Sequence, residues 1–92
     1  MDIINVTAAI IRKGDKFLIA KRGKGKHLEG MWEFPGGKVE FSETPEECLK
    51  RELEEEFGVI SRINSFVAES VFNYGDKTIR LLGYNVEYKA WF

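Results

Sequence analysis

Scarcity marks this 92-residue chain before any motif does. It has one cysteine, Cys48, and one histidine, His27, so neither a disulfide framework nor a Cys/His zinc centre can be assembled. A reducing, cytoplasmic setting is therefore expected. Neither charge dominates: fourteen Lys and Arg stand against fifteen Asp and Glu, a formal net charge of -1. No global field draws such a chain onto a nucleic acid polymer or an anionic membrane, and any anionic ligand has to be held by local groups. No stretch approaches the roughly 18 apolar residues of a membrane span. The start, Met1-Asp2-Ile3-Ile4-Asn5, has neither the basic flank nor the apolar core of a signal peptide. These readings point to a soluble, unprocessed protein.

What the chain does have is enough apolar material for a core, with 43% hydrophobic and 13% aromatic residues, which excludes disorder. Its length predicts a single domain over residues 1–92. Ile3 to Ile11 is apolar and β-branched, Lys13-Gly14-Asp15-Lys16 supplies turn chemistry, and Phe17-Leu18-Ile19-Ala20 resumes the run, so a β-hairpin is predicted. The basic, glycine-rich segment Lys21 to His27 reads as a mobile loop. Met31 to Phe34 reads as a short strand ended by Pro35-Gly36-Gly37, and the alternation at Val39 and Phe41 predicts another. Thr44-Pro45-Glu46-Glu47 combines an N-cap hydroxyl, proline at the first helical position and a capping-box glutamate; Gly58 suits the C-terminal cap. Ser65 to Phe72 and Thr78 to Tyr88 are predicted strands around the turn Asn73-Tyr74-Gly75-Asp76. The order implies a mixed α/β or α+β sheet packed by one long helix. Because the chain stops at Trp91-Phe92, directly after a strand, one sheet face is expected to lack a covering helix and an edge to stay open.

The chemistry lies on the helix. Leu49, Leu53 and Phe57 fall at i, i+4 and i+8 and form one apolar stripe toward the sheet. Glu52, Glu55 and Glu56, at i, i+3 and i+4, then gather on an adjacent flank. Like charges at this spacing cost a helix roughly 0.2–0.5 kcal/mol per pair, which a cation would offset. Oxygen donors without nearby His or Cys select a hard ion such as Mg²⁺, with phosphate oxygens as its natural companions. A merely solvated acidic face is the alternative for any glutamate-rich helix.

The surroundings decide between the two. Gly37, Glu43, Arg51-Glu52-Leu53, Glu55-Glu56 and Gly58-Val59 match the signature G-x5-E-x7-R-E-U-x-E-E-x-G-U, with U aliphatic, at every specified position, so the chain resembles the Nudix hydrolases. The upstream run Trp32 to Glu40 is similar to the MutT-type branch of that family. The resemblance implies an α/β/α sandwich with a mixed sheet, here expected without the second helix that relatives carry beyond this point. It also implies water attack on a diphosphate, assisted by Mg²⁺ or Mn²⁺. Transferred residue by residue, Glu52, Glu55 and Glu56 would be metal ligands together with the backbone carbonyl of Gly36. Glu52 would also be the base, and Arg51 and Glu43 would pair to hold the loop against the helix.

Arg22 and Lys38 are the cations expected on substrate phosphates, with Lys24 and Lys26 as lesser candidates, and solvated surface charge is the alternative for Arg22. Phe34 and Trp32 could line a base pocket or belong to the core. Cys48 reads as a small packed side chain rather than a nucleophile. The substrate implied is a nucleoside triphosphate, oxidised or not, giving nucleoside monophosphate and pyrophosphate. Alternatives are ADP-ribose or a dinucleotide, or a nucleotide-binding module with weak turnover. An uncovered sheet face would favour a homodimer.

Overall fold

Thr44 starts the helix because its side chain and that of Glu47 satisfy each other's backbone. The Glu47 amide donates to the Thr44 hydroxyl at 3.1 Å, and the Thr44 amide donates to the Glu47 carboxylate at 2.8 Å. With Pro45 at its first position, helix α1 runs Pro45–Phe57 and ends where Gly58 turns left-handed at φ 63°. Start, stop and apolar stripe are those expected from the sequence: Leu49 and Leu53 are fully buried and Phe57 packs at the margin of the core.

The computed structural model describes residues 3–13, 15–21 and 32–91. Around α1 lie strands β1 (Ile3–Lys13), β2 (Lys16–Phe17), β3 (Ala20–Lys21), β4 (Trp32–Glu33), β5 (Gly36–Lys38), β6 (Val59–Asn73) and β7 (Thr78–Trp91). Strand β1 is the hub of a mixed sheet in the order β2-β1-β7-β6, with β5 also paired to β1. It runs parallel to β7 and antiparallel to β2 and β5. The fold is α/β. Alternation along β1 sends Thr7, Ala9 and Ile11 to the helix, and the parallel register sets them beside Leu82, Tyr84 and Val86 of β7. These residues close the core with Leu49, Leu53 and Val59.

Three expectations are corrected. Val39 and Phe41 form no strand; Phe41 is 99% exposed, and the pairing to β1 falls instead on Gly36–Lys38. Pro35-Gly36-Gly37 was expected to end a strand, yet Gly36 opens one, because a residue without Cβ can approach the β1 backbone: a methyl on Gly36 would collide with the carbonyl of Thr7. The last two strands run well past the expected 65–72 and 78–88. Register shifts at Ile60/Ser61, Ile63/Ser65 and Phe66/Ala68 let β6 continue through polar residues without losing its partner. The turn between them is as expected, with the Tyr74 amide donating to the Lys77 carbonyl and the Gly75 amide to Asn73 Oδ1, each at 2.8 Å. Among the described residues no helix is long and apolar enough to cross a membrane.

Candidate functional site

At one corner of the molecule β1, β5 and the first turns of α1 meet. The ladder bonds at Ala9–Pro35 (2.7 Å) and Asn5–Val39 (2.8 Å) fix its phase: antiparallel bonding alternates, so Thr7 and Gly37 form a bonded pair and Ala8 and Gly36 do not. The carbonyl of Gly36 is thereby turned away from β1. Gly37 faces the helix so closely that a Cβ there would lie 2.5 Å from the carboxyl carbon of Glu52 and 2.6 Å from its Oε1. Glycine at 37 is therefore what lets the Glu52 carboxylate sit against the loop.

Arg51 holds this corner together. Its Nη2 and Nε donate to the two oxygens of Glu43 at 2.8 and 3.1 Å, a fork geometry that fits carboxylate well. Its Nη1 reaches Glu52 Oε1 at 3.1 Å and Glu55 Oε2 at 3.4 Å. The Arg51 hydrogen bond, helped by the Glu40 amide, holds the Glu43 carboxyl down at about 2, below its ordinary 4.5, while Glu43 in turn pushes the guanidinium upward. The pairing of Glu43 and Arg51 implied by the family resemblance is thus in place.

Of the three glutamates on the helix flank, two meet at Arg51 Nη1. Glu52 is the sheltered one, with its side chain 17% exposed, whereas that of Glu55 is 60% exposed. Glu56 is exposed on the same helix. Among the described residues no three His, Cys, Asp or Glu side chains are drawn together as a metal cluster. Mutual repulsion explains the spread: like-charged carboxylates separate, and the guanidinium takes the two it can reach. The donor set nonetheless fits a hard divalent ion, since the carboxylates and the outward-turned Gly36 carbonyl supply oxygen alone.

Lys38 ends β5 with its side chain exposed. Phe34, 43% exposed, meets the ring of Phe17 edge-on at 6.3 Å. It borders a cavity of about 300 Å³ with Val6, Thr7, Ala8, Glu33, Gly36, Gly37 and Leu81. Val6 and Ala8 alternate with the helix-facing residues of β1, so the cavity lies on the sheet face away from α1, and Gly36-Gly37 borders both sides. Arg22, Lys24, Lys26 and His27 lie outside the described residues, as does the side chain of Trp32. Cys48 is buried, as read from the sequence, and burial pushes its thiol upward. Sequence reasoning missed Thr7: a threonine among β-branched neighbours reads as strand propensity, and only the pairing with Gly37 reveals it.

A family model described as NUDIX domain matches residues 1–92. The CTP pyrophosphohydrolase of Escherichia coli (strain K12) is 38% identical over 86 residues, 94% of this chain and 64% of that protein. The 8-oxo-dGTP diphosphatase of Haemophilus influenzae is 41% identical over 85 residues, 91% of this chain and 62% of that protein. The chain thus spans somewhat under two thirds of the length of these two relatives. The solution structure of the Escherichia coli ORF135 protein superposes with TM-score 0.87 at 36% identity, covering 99% of this chain and 66% of that one. A MutT NUDIX hydrolase from Burkholderia pseudomallei, at 23% identity and TM-score 0.87 over 99% of this chain and 72% of its own, shares the fold.

Proposed function

The chain belongs to the NUDIX family, and from that premise we propose that it hydrolyses a nucleoside triphosphate, oxidised or not, to nucleoside monophosphate and pyrophosphate, with Mg²⁺ or Mn²⁺ as cofactor. One observation carries the reading: the Glu52 carboxylate is sheltered against Gly37 of β5 and tied to Arg51, and a cavity is bordered by that same strand. The curated relatives named above for CTP and 8-oxo-dGTP support the substrate class.

Glu52, Glu55, Glu56 and the Gly36 carbonyl are the groups that would hold the ion. When bound, Mg²⁺ supplies neutralisation of phosphate charge and acidification of water. Glu52, the least exposed of the three carboxylates, is suited to accept the proton of the attacking water. Arg51 holds that carboxylate in place, and its fork on Glu43 keeps the loop against the helix. Lys38 and Arg22 neutralise phosphate oxygens away from the ion, and Phe34 offers a ring edge to the nucleobase in the cavity. Water attacks an inner phosphorus, the bond to the bridging oxygen breaks, and pyrophosphate leaves.

The test is the pair Glu52→Gln and Glu56→Gln assayed for Mg²⁺-dependent turnover. The first is expected to lose about 10²- to 10⁴-fold in kcat, the usual contribution of a positioned base, with its unfolding midpoint unchanged. Full turnover in both variants would refute the assignments.

A further inference from the structure

Of the two buried polar side chains among the described residues, Ser61 lies on β6 and Thr7 in the helix-facing row of β1 and β7. Ala9, Ile11, Leu82, Tyr84 and Val86 fill it, and Thr7, 2% exposed, interrupts it with a hydroxyl. Valine would fill the same volume without the desolvation cost of a buried hydroxyl; Ser61 Oγ is buried without a partner, whereas the Thr7 oxygen is engaged. It donates to the Gly37 carbonyl at 3.1 Å and accepts from the Gly37 amide at 3.4 Å. The thiol of Cys48 lies 3.5 Å from it and 3.3 Å from the Lys38 carbonyl. Cys48 stands one helical turn before Glu52. The peptide on which the Glu52 carboxylate rests is therefore pinned from the strand by Thr7 and from the helix by Cys48.

We propose that Thr7 is a positioning residue for the cation site, its hydroxyl fixing through Gly37 the separation between the Gly36 carbonyl and the Glu52 carboxylate. The inference rests on the hydrolase reading above and adds a determinant outside the signature. Both supposed donors depend on the same short segment: one carbonyl belongs to the residue before Gly37, and one carboxylate lies against its Cα. Without the hydroxyl, the Gly37 peptide keeps its ladder bonds to β1 but loses the side-chain bond that sets its tilt. Such supporting bonds to a metal site are worth about 10- to 100-fold in metal affinity.

The experiment measures Mn²⁺ binding to the protein alone by electron paramagnetic resonance, for wild type, Thr7→Val and Thr7→Ser, with circular dichroism melting as the check on folding. A matching series measures the nucleotide KM at saturating Mg²⁺. The proposal expects Thr7→Val to bind Mn²⁺ about tenfold more weakly, Thr7→Ser to stay within about twofold of wild type, and KM at saturating Mg²⁺ to be unchanged. Wild-type affinity in Thr7→Val overturns it. Equal weakening in Thr7→Ser and Thr7→Val also overturns it, because the missing methyl group or a disturbed core would then be responsible. A wild-type protein that binds no Mn²⁺ sinks the hydrolase reading itself, and the positioning role with it.

Discussion

The corner where β1, β5 and α1 meet and the far end of the β6–β7 hairpin are built on opposite principles. At the corner, three elements converge, Thr7 and Cys48 are buried, and one arginine pairs with four carboxylates, those of Glu40, Glu43, Glu52 and Glu55. At the hairpin end β7 lies between β1 and β6, β6 is the edge strand, and Phe66, Val67, Val71, Phe72 and Tyr74 are all substantially exposed. Backbone ladder bonds hold the hairpin, with Phe66 edge-on to Tyr84 at 5.5 Å as a local support. The corner tolerates like-charge repulsion and buried polar groups, both unfavourable by themselves, whereas in the hairpin the one buried polar side chain, Ser61, lies at the end away from the turn. Electrostatic cost concentrated at one corner of a small protein is the pattern expected of a functional site.

Substitutions can break this contrast. The largest effect on stability is expected from Leu53→Ala under the corner, a loss of about 2–5 kcal/mol for a fully buried leucine, read by urea unfolding. Gly37→Ala should leave most of that stability but displace the Glu52 carboxylate, since a methyl there overlaps it. A misplacement of that kind costs about 10²-fold in kcat, and a variant with normal kcat would separate the glycine from the chemistry. Glu43→Gln sharpens the electrostatic side. The Glu43 carboxyl is lowered from 4.5 to about 2 in the folded protein, so its contribution is complete above about pH 4.5 and fades as pH falls toward 2. Melting curves of wild type should lose stability across that interval, and those of Glu43→Gln should lose less. The smallest effect belongs to the hairpin: Phe72→Ser should change unfolding free energy by no more than about 0.5 kcal/mol, and a larger loss would mean that this end is covered in solution.

Much of the corner was legible in the sequence because its signals are local. The cap at Thr44, the stop at Gly58 and the stripe of Leu49 and Leu53 follow from spacing along one helix, while the pairing of Glu43 with Arg51 came from the resemblance to the Nudix signature. What escaped depends on a second element. Gly36 and Gly37 have poor strand propensity, and only the neighbouring β1 makes a strand of them. Phe41 continued an alternating pattern, but with no sheet beside it the pattern has nothing to face. Thr7 has the propensity of its neighbours, and its role appears once Gly37 lies opposite. The length of β6 was hidden by its bulges, which shift the alternation that marks a strand.

The central claim is that the helix flank bearing Glu52, with Arg51 and the Gly36-Gly37 end of β5, hydrolyses a diphosphate link with the help of a hard divalent ion. Product analysis across a panel of nucleoside triphosphates, with Mg²⁺ or with a chelator, tests it most directly. The account predicts nucleoside monophosphate and pyrophosphate in equal amounts from at least one of them with Mg²⁺ and neither product with the chelator. Release of inorganic phosphate and nucleoside diphosphate, or turnover indifferent to the metal, would contradict it.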